Sequence, residues 1–171
     1  MNRKNKKQLT LLSISAAMAA LSVVFTRFLG FSPEGTSFRF EIGFLPIAVA
    51  AYVAGPLYAM GAYLTADVIG SLFSGYAPNP WITLAQCAAG AIMGICFYKK
   101  HSLTRVIICF VAIAVISDIL IKAPALAVMY SWTIGFAVGT KALNALLNLP
   151  LRIILYYFTL KALKKPLEQF I

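Results

Sequence analysis

The sequence predicts an all-α integral membrane protein with six transmembrane helices around an outward-facing ligand cavity. Three observations carry this. Of 171 residues 61% are hydrophobic and 12% charged, at a mean hydropathy of +0.84, where soluble domains average about 45–50% apolar and 25% charged. The apolar stretches divide into six segments near the roughly 20-residue length that crosses a bilayer. The polar residues inside those segments gather at one depth.

The segments run about 9–28, 38–54, 56–74, 80–98, 104–128 and 139–160, within one membrane domain spanning 1–171. An even number puts both termini on one side. Basic residues cluster at Arg3, Lys4, Lys6 and Lys7; at Lys99, Lys100 and Arg105; and at Lys161, Lys164 and Lys165. All three clusters then fall on that side. The formal charge of +10 is therefore a positive-inside pattern with cytoplasmic termini, as in a bacterial inner membrane, and not a nucleic-acid patch.

Segment one follows a basic start and includes the cleavage-like triplet Ala17-Met18-Ala19. Its apolar run continues to Phe28, so it is read as a retained span. Ala16 and Ala20 form a small-xxx-small face that lets another helix approach closely. A turn-rich loop with Gly30, Pro33 and Gly35 leads to segment two, which opens with Arg39 and Glu41 and holds Pro46. Segment three begins after Gly55-Pro56 and carries Asp67. Tyr76 and Trp81 mark the interface before segment four, where Thr83 and Gln86 lie just below the surface.

Segment five places Asp118 and Lys122 at i, i+4, the spacing of a helical ion pair. In segment six Lys141, Asn144, Asn148 and Arg152 fall within about 80° on a helix, a polar stripe. Charges at the bilayer centre cost about 2.5–3.5 kcal/mol each on the insertion scale, so such a stripe faces protein or water. By depth, Arg27, Arg39, Glu41, Asp67, Gln86, Lys122, Lys141 and Asn144 belong to the outer half, with Asp118 and Asn148 nearer the middle. Arg152, about 16 Å below Lys141 by helical rise, is expected to snorkel to the cytoplasmic headgroups. The inner half is otherwise apolar, which suits a binding cavity closed below rather than a through-pore. The slight excess of basic over acidic residues favours an anionic or carboxylate-bearing ligand.

Cys87, Cys96 and Cys109 lie in apolar segments and read as packing residues, and His101 as a solvated loop residue. No HExxH, GxSxG or Walker-type pattern occurs, and one histidine cannot make a catalytic metal pair. No cofactor or metal is expected, and the chain is read as a binding protein that needs a partner for power, not an enzyme.

The runs RFEIGFLPIAVAAYVAGPLYA (39–59), TADVIGSLF (65–73) and PNPWITLAQCAAGAIMGICFYKK (78–100) resemble the substrate-binding S-components of energy-coupling factor (ECF) vitamin transporters, folate family. The resemblance implies six helices around an outward cavity, vitamin capture, and docking on a transmembrane coupling protein driven by two cytoplasmic ATPase subunits. It implies that small residues of helix one, here Ala16 and Ala20, form the docking face. Folate is the preferred ligand, with Arg39, Glu41, Asp67, Gln86, Lys122, Lys141, Asn144 and Asn148 as substrate-binding candidates. The alternatives are another water-soluble vitamin (pantothenate, thiamine or riboflavin) or a small membrane enzyme. The chain departs from the family pattern at Asp118, Lys122 and Ala125 on helix five and at Lys141 and Asn144 on helix six.

Overall fold

A computed structural model describes residues 3–30, 40–75, 77–99 and 102–168. The turn-rich loop from 31, Arg39, Tyr76, Lys100 and His101 lie outside them, so the expectations placed there stay as expectations. The described chain makes helical rods: α1 (Arg3–Phe28), α2 (Phe44–Ala54), α3 (Pro56–Phe73), α4 (Pro80–Phe97), α5 (Leu103–Tyr130) and α6 (Ile134–Glu168). Four of these, α1, α4, α5 and α6, contain stretches long and apolar enough to cross a membrane.

Helix α2 starts later than the sequence pattern suggests, at Phe44 rather than near 38. Pro46 is the reason. In a helix interior it would lose a hydrogen bond and clash with the carbonyl four residues earlier, but in the first turn it lacks only an N–H that would be unpaired anyway. The result is an 11-residue helix about 16 Å long, half of a roughly 30 Å hydrocarbon core. All eleven residues are buried. A helix that is apolar on every side belongs at a bundle centre.

Glycine lets the neighbouring helices close in. A Cβ on Gly90 would stand 2.8 Å from the Ala59 carbonyl, and one on Gly94 would overlap the Pro56 backbone. Gly90 and Gly94 are four apart, so this is a GxxxG contact of the kind that packs membrane helices. Gly43 serves α1 in the same way: its carbonyl accepts from Ser22 Oγ at 2.6 Å, and a side chain there would overlap Thr26 Oγ1.

Helix α5 holds an unanticipated feature, nine residues (Ala114–Lys122) wound as a π-helix. Its turn closes with the Ala123 N–H donating to the Asp118 carbonyl, five residues back. Ser117 Oγ ties it to α4 by donating to the Ala85 carbonyl at 2.8 Å. Such π segments concentrate at functional sites. Helix α6 is also longer than the 139–160 expected, since the pattern runs on at both ends.

The apolar packing falls into two bodies. The larger joins α1–α4 to the first half of α5 and the second half of α6, with Phe44, Phe97, Phe110 and Tyr156 at its centre. Phe97 stacks on Tyr156 at 4.1 Å and Phe110 meets Phe44 edge-on at 5.4 Å. The smaller joins α5 to α6 near their connection through Ala123, Ala127 and Ala137. A polar layer separates the two.

Gly94→Ala should cost about 1–3 kcal/mol, because α3 and α4 must part to admit the methyl group. Thermal unfolding in detergent should show a lowered midpoint, with Gly61→Ala as the control, since nothing lies within 4 Å of its new Cβ.

Candidate functional site

The polar layer is assembled from three elements. The stripe on α6 presents Lys141, Asn144, Asn148 and Arg152 to a cavity of about 160 Å³ that Glu41, Asp118 and Lys122 also line. The π segment carries Asp118 and Lys122, whose Oδ1 and Nζ pair at 2.9 Å. The late start of α2 leaves Glu41 in non-helical chain just before it.

Arg152 corrects the sequence expectation. It does not snorkel toward headgroups: Nη1 lies 3.4 Å from Asp118 Oδ2 and Nη2 lies 3.6 Å from Glu41 Oε2. The guanidinium also sits 5.9 Å from the Phe44 ring centroid, a cation–π distance. Beneath it the aromatic cluster closes the bundle. Glu41 moves with this correction, since a half-length α2 sets it beside Arg152 rather than at the outer end of a full span.

A second cavity of about 320 Å³ shares Glu41, Lys122 and Lys141 with the first and adds Arg27, Asp67, Gln86 and Asn79. Asp67 Oδ2 accepts from Thr83 Oγ1 at 2.7 Å. Gln86 Oε1 is buried with no hydrogen-bond partner among the described residues. Ile82, Leu126, Met129 and Tyr130 supply an apolar wall. A few convergent polar groups against an apolar wall fit a small-molecule site, whose volumes run about 300–1,000 Å³. Larger hollows exist, one between α4 and α5 of about 520 Å³ and one between α1 and α3 of about 640 Å³. Both are mostly apolar, the first with Asn79 and the second with Arg27 and Thr65 among their linings, and neither gathers polar groups from several helices as the 320 Å³ cavity does.

Of the residues singled out from sequence, Glu41, Asp67, Gln86, Lys122, Lys141, Asn144 and Asn148 line these two joined cavities, and Arg39 lies outside the described residues. Asp118 and Arg152 were not among them. Their signals were present, in the i, i+4 pair with Lys122 and in membership of the α6 stripe. Around the two cavities stand Arg27, Lys122, Lys141 and Arg152 against Glu41, Asp67 and Asp118. Lys141 makes no ion pair among the described residues. Ala16 and Ala20 lie elsewhere, on an exposed face of α1.

Fold and site together define an all-helical membrane protein with a polar, charge-lined cavity between its helices. No family model matches the chain. It is 29% identical over 153 residues to a curated protein described as the folate transporter FolT of Clostridium novyi (strain NT), covering 88% of each chain. It also superposes on a crystal structure of FolT bound with folic acid, with a TM-score of 0.73, 27% identity, and coverage of 88% of this chain and 89% of that one. The likeness read from the motifs is thus found over most of the chain.

Replacing Asp118 by Asn leaves Lys122 and Arg152 buried without their shared carboxylate. Removing one partner of a buried pair costs about 3–5 kcal/mol, and the loss should appear as a lowered unfolding midpoint in detergent. The double replacement Asp118→Leu with Lys122→Met should lose less than Asp118→Asn, because it removes a cation along with its partner.

Proposed function

We propose that this chain is the substrate-binding S-component of an ECF-type importer and that it captures folate. The observation that carries the reading is Lys141: a cation without an ion pair among the described residues, set against an amphipathic cavity, on a fold like that of a FolT bound with folic acid. Folate joins a flat, hydrogen-bonding ring system to a carboxylate-bearing tail. The apolar wall suits the ring. Gln86, Asn144 and Asn148 offer amides for its edge, and Lys141, aided by Lys122 and Arg39, offers charge-assisted bonds to a carboxylate.

The paired ions of the layer are as important as the spare one. Asp118 and Glu41 between them offset Lys122 and Arg152, which limits the positive charge that the cavity presents to an anionic ligand. Water leaves such a cavity as ligand enters, which strengthens the remaining charge contacts.

On this reading all six rods are membrane helices of a bacterial inner membrane, α2 being the short central one. The basic end, with Lys4, Lys6, Lys7, Lys99, Arg105 and Lys161, faces the cytoplasm with both termini, and the cavity faces out. The chain is a transport component and not an enzyme; ATP hydrolysis falls to two ATPase subunits that act through a transmembrane coupling protein. Ala16 and Ala20 provide the face on which that protein docks.

Calorimetry on purified protein tests the ligand. Folic acid should bind, and Lys141→Met should weaken it about tenfold to hundredfold, the worth of one hydrogen bond to a charged group. 6-Hydroxymethylpterin, which keeps the ring and has no carboxylate, should bind wild type and variant alike. Absence of folic acid binding, with binding of pantothenate, thiamine or riboflavin instead, would reassign the cavity.

Ala16→Trp or Ala20→Trp tests the partner. Either change should leave folic acid affinity intact while abolishing uptake by cells that carry the coupling subunits. Equal loss of both would show that this face packs within the chain.

A further inference from the structure

Arg27 borders three voids in succession. It stands at the rim of the 320 Å³ cavity, beside a chamber of about 50 Å³ between α1, α3 and α4, and along the 640 Å³ apolar groove between α1 and α3. Ala16, Ala20 and Phe28 wall that groove on one side, and Thr65, Ile69 and Phe73 on the other. Among the described residues no other side chain borders all three.

Its guanidinium holds the groove's two walls together. Nη2 of Arg27 donates to the carbonyl of Gly70, one of the last four in α3, which a helix leaves without an internal partner. The Ser74 N–H, which would otherwise reach it, turns back to the Ser71 carbonyl at 3.0 Å. A cation at this end also meets the negative pole of the helix. Gly70 supplies the room: a Cβ there would lie 3.3 Å from Arg27 Nη2, and its three nearest atoms all belong to Arg27. The last turn of α1 is thereby tied to the last turn of α3.

A guanidinium binds a carboxylate more strongly than a backbone carbonyl, because the pair is charge-assisted and can be bidentate. A carboxylate-bearing ligand in the cavity competes with Gly70 for the same group. We propose that Arg27 is a latch between cavity and groove: capping Gly70 it holds α1 against α3, and drawn to a carboxylate in the cavity it releases them, so the groove changes width with occupancy. The inference rests on reading the cavity as a folate site and α1 as a docking face. It gives a partner at the helix surface a way to sense ligand that it never touches. By reciprocity, a partner that presses α1 back onto α3 restores the Gly70 contact and loosens the ligand.

Spin labels at Phe28→Cys and Phe73→Cys, both exposed along the groove, report its width by pulsed double electron–electron resonance in a protein with Cys87 and Cys96 changed to alanine. Folic acid should shift the distance by on the order of 2 Å, the scale of helix movements in switching proteins. In Arg27→Gln the distance should be the same with and without folic acid, whose binding is followed in parallel by calorimetry. Gly70→Val, which displaces the guanidinium directly, should shift the distance with no folic acid added. The latch is overturned by an unchanged distance when folic acid binds the parent protein, by an equal shift in an Arg27→Gln protein that binds it, or by an unshifted Gly70→Val. If Arg27→Gln does not bind folic acid, Gly70→Val decides. A parent protein that binds no folic acid overturns the folate reading instead, and Gly70→Val still decides the latch.

Discussion

The molecule depends on the sharing of one buried carboxylate. Asp118 meets Lys122 on its own helix and Arg152 on α6, and Arg152 reaches on to Glu41 ahead of α2. Buried ions are costly unless each finds a partner of good geometry. That requirement fixes the relative height of three elements, since the pairs hold only when α5, α6 and the start of α2 are level. It also explains why the apolar packing is split, with charge occupying the layer between the two apolar clusters.

Packing below and above that layer differs in kind. Below, glycines let α1 approach the start of α2 and let α3 and α4 meet almost backbone to backbone, and four aromatic rings help fill the core. Above, α5 and α6 are joined by small residues and leave space beside α3 and α4. The rigid half makes a floor, and the looser half makes a cavity. A ligand-binding membrane protein that must not leak benefits from that division, because the seal and the site are separate parts.

Much of this was legible in the sequence, and particular residues show why. The stripe of Lys141, Asn144 and Asn148 was visible because helical periodicity is local and these residues are expensive in an apolar surround. The Asp118 and Lys122 pair was visible for the same reason. The fate of Arg152 was not. Its position predicts equally well a side chain that snorkels to headgroups or one that turns inward, and only the location of Glu41 and Asp118 decides. The length of α2 was hidden too, although Pro46 pointed to it. The GxxxG spacing at Gly90 and Gly94 is plain in the sequence, but its contact with α3 is not, since the partner lies far from it in the chain.

The sequence by itself determined the class of molecule, its apolar helical stretches, its clusters of basic residues and the polar side chains set among the apolar ones. Composition and periodicity settle these because a bilayer demands apolar length and penalises charge residue by residue. Tertiary structure alone decided which charges pair with each other, and that Arg27 bridges the cavity and the α1–α3 groove. Those are matters of distance between residues far apart in the chain, such as the 34 that separate Arg152 from Asp118 and the 43 that separate Arg27 from Gly70. Coulomb energy depends on separation in space, and no one-dimensional pattern records it.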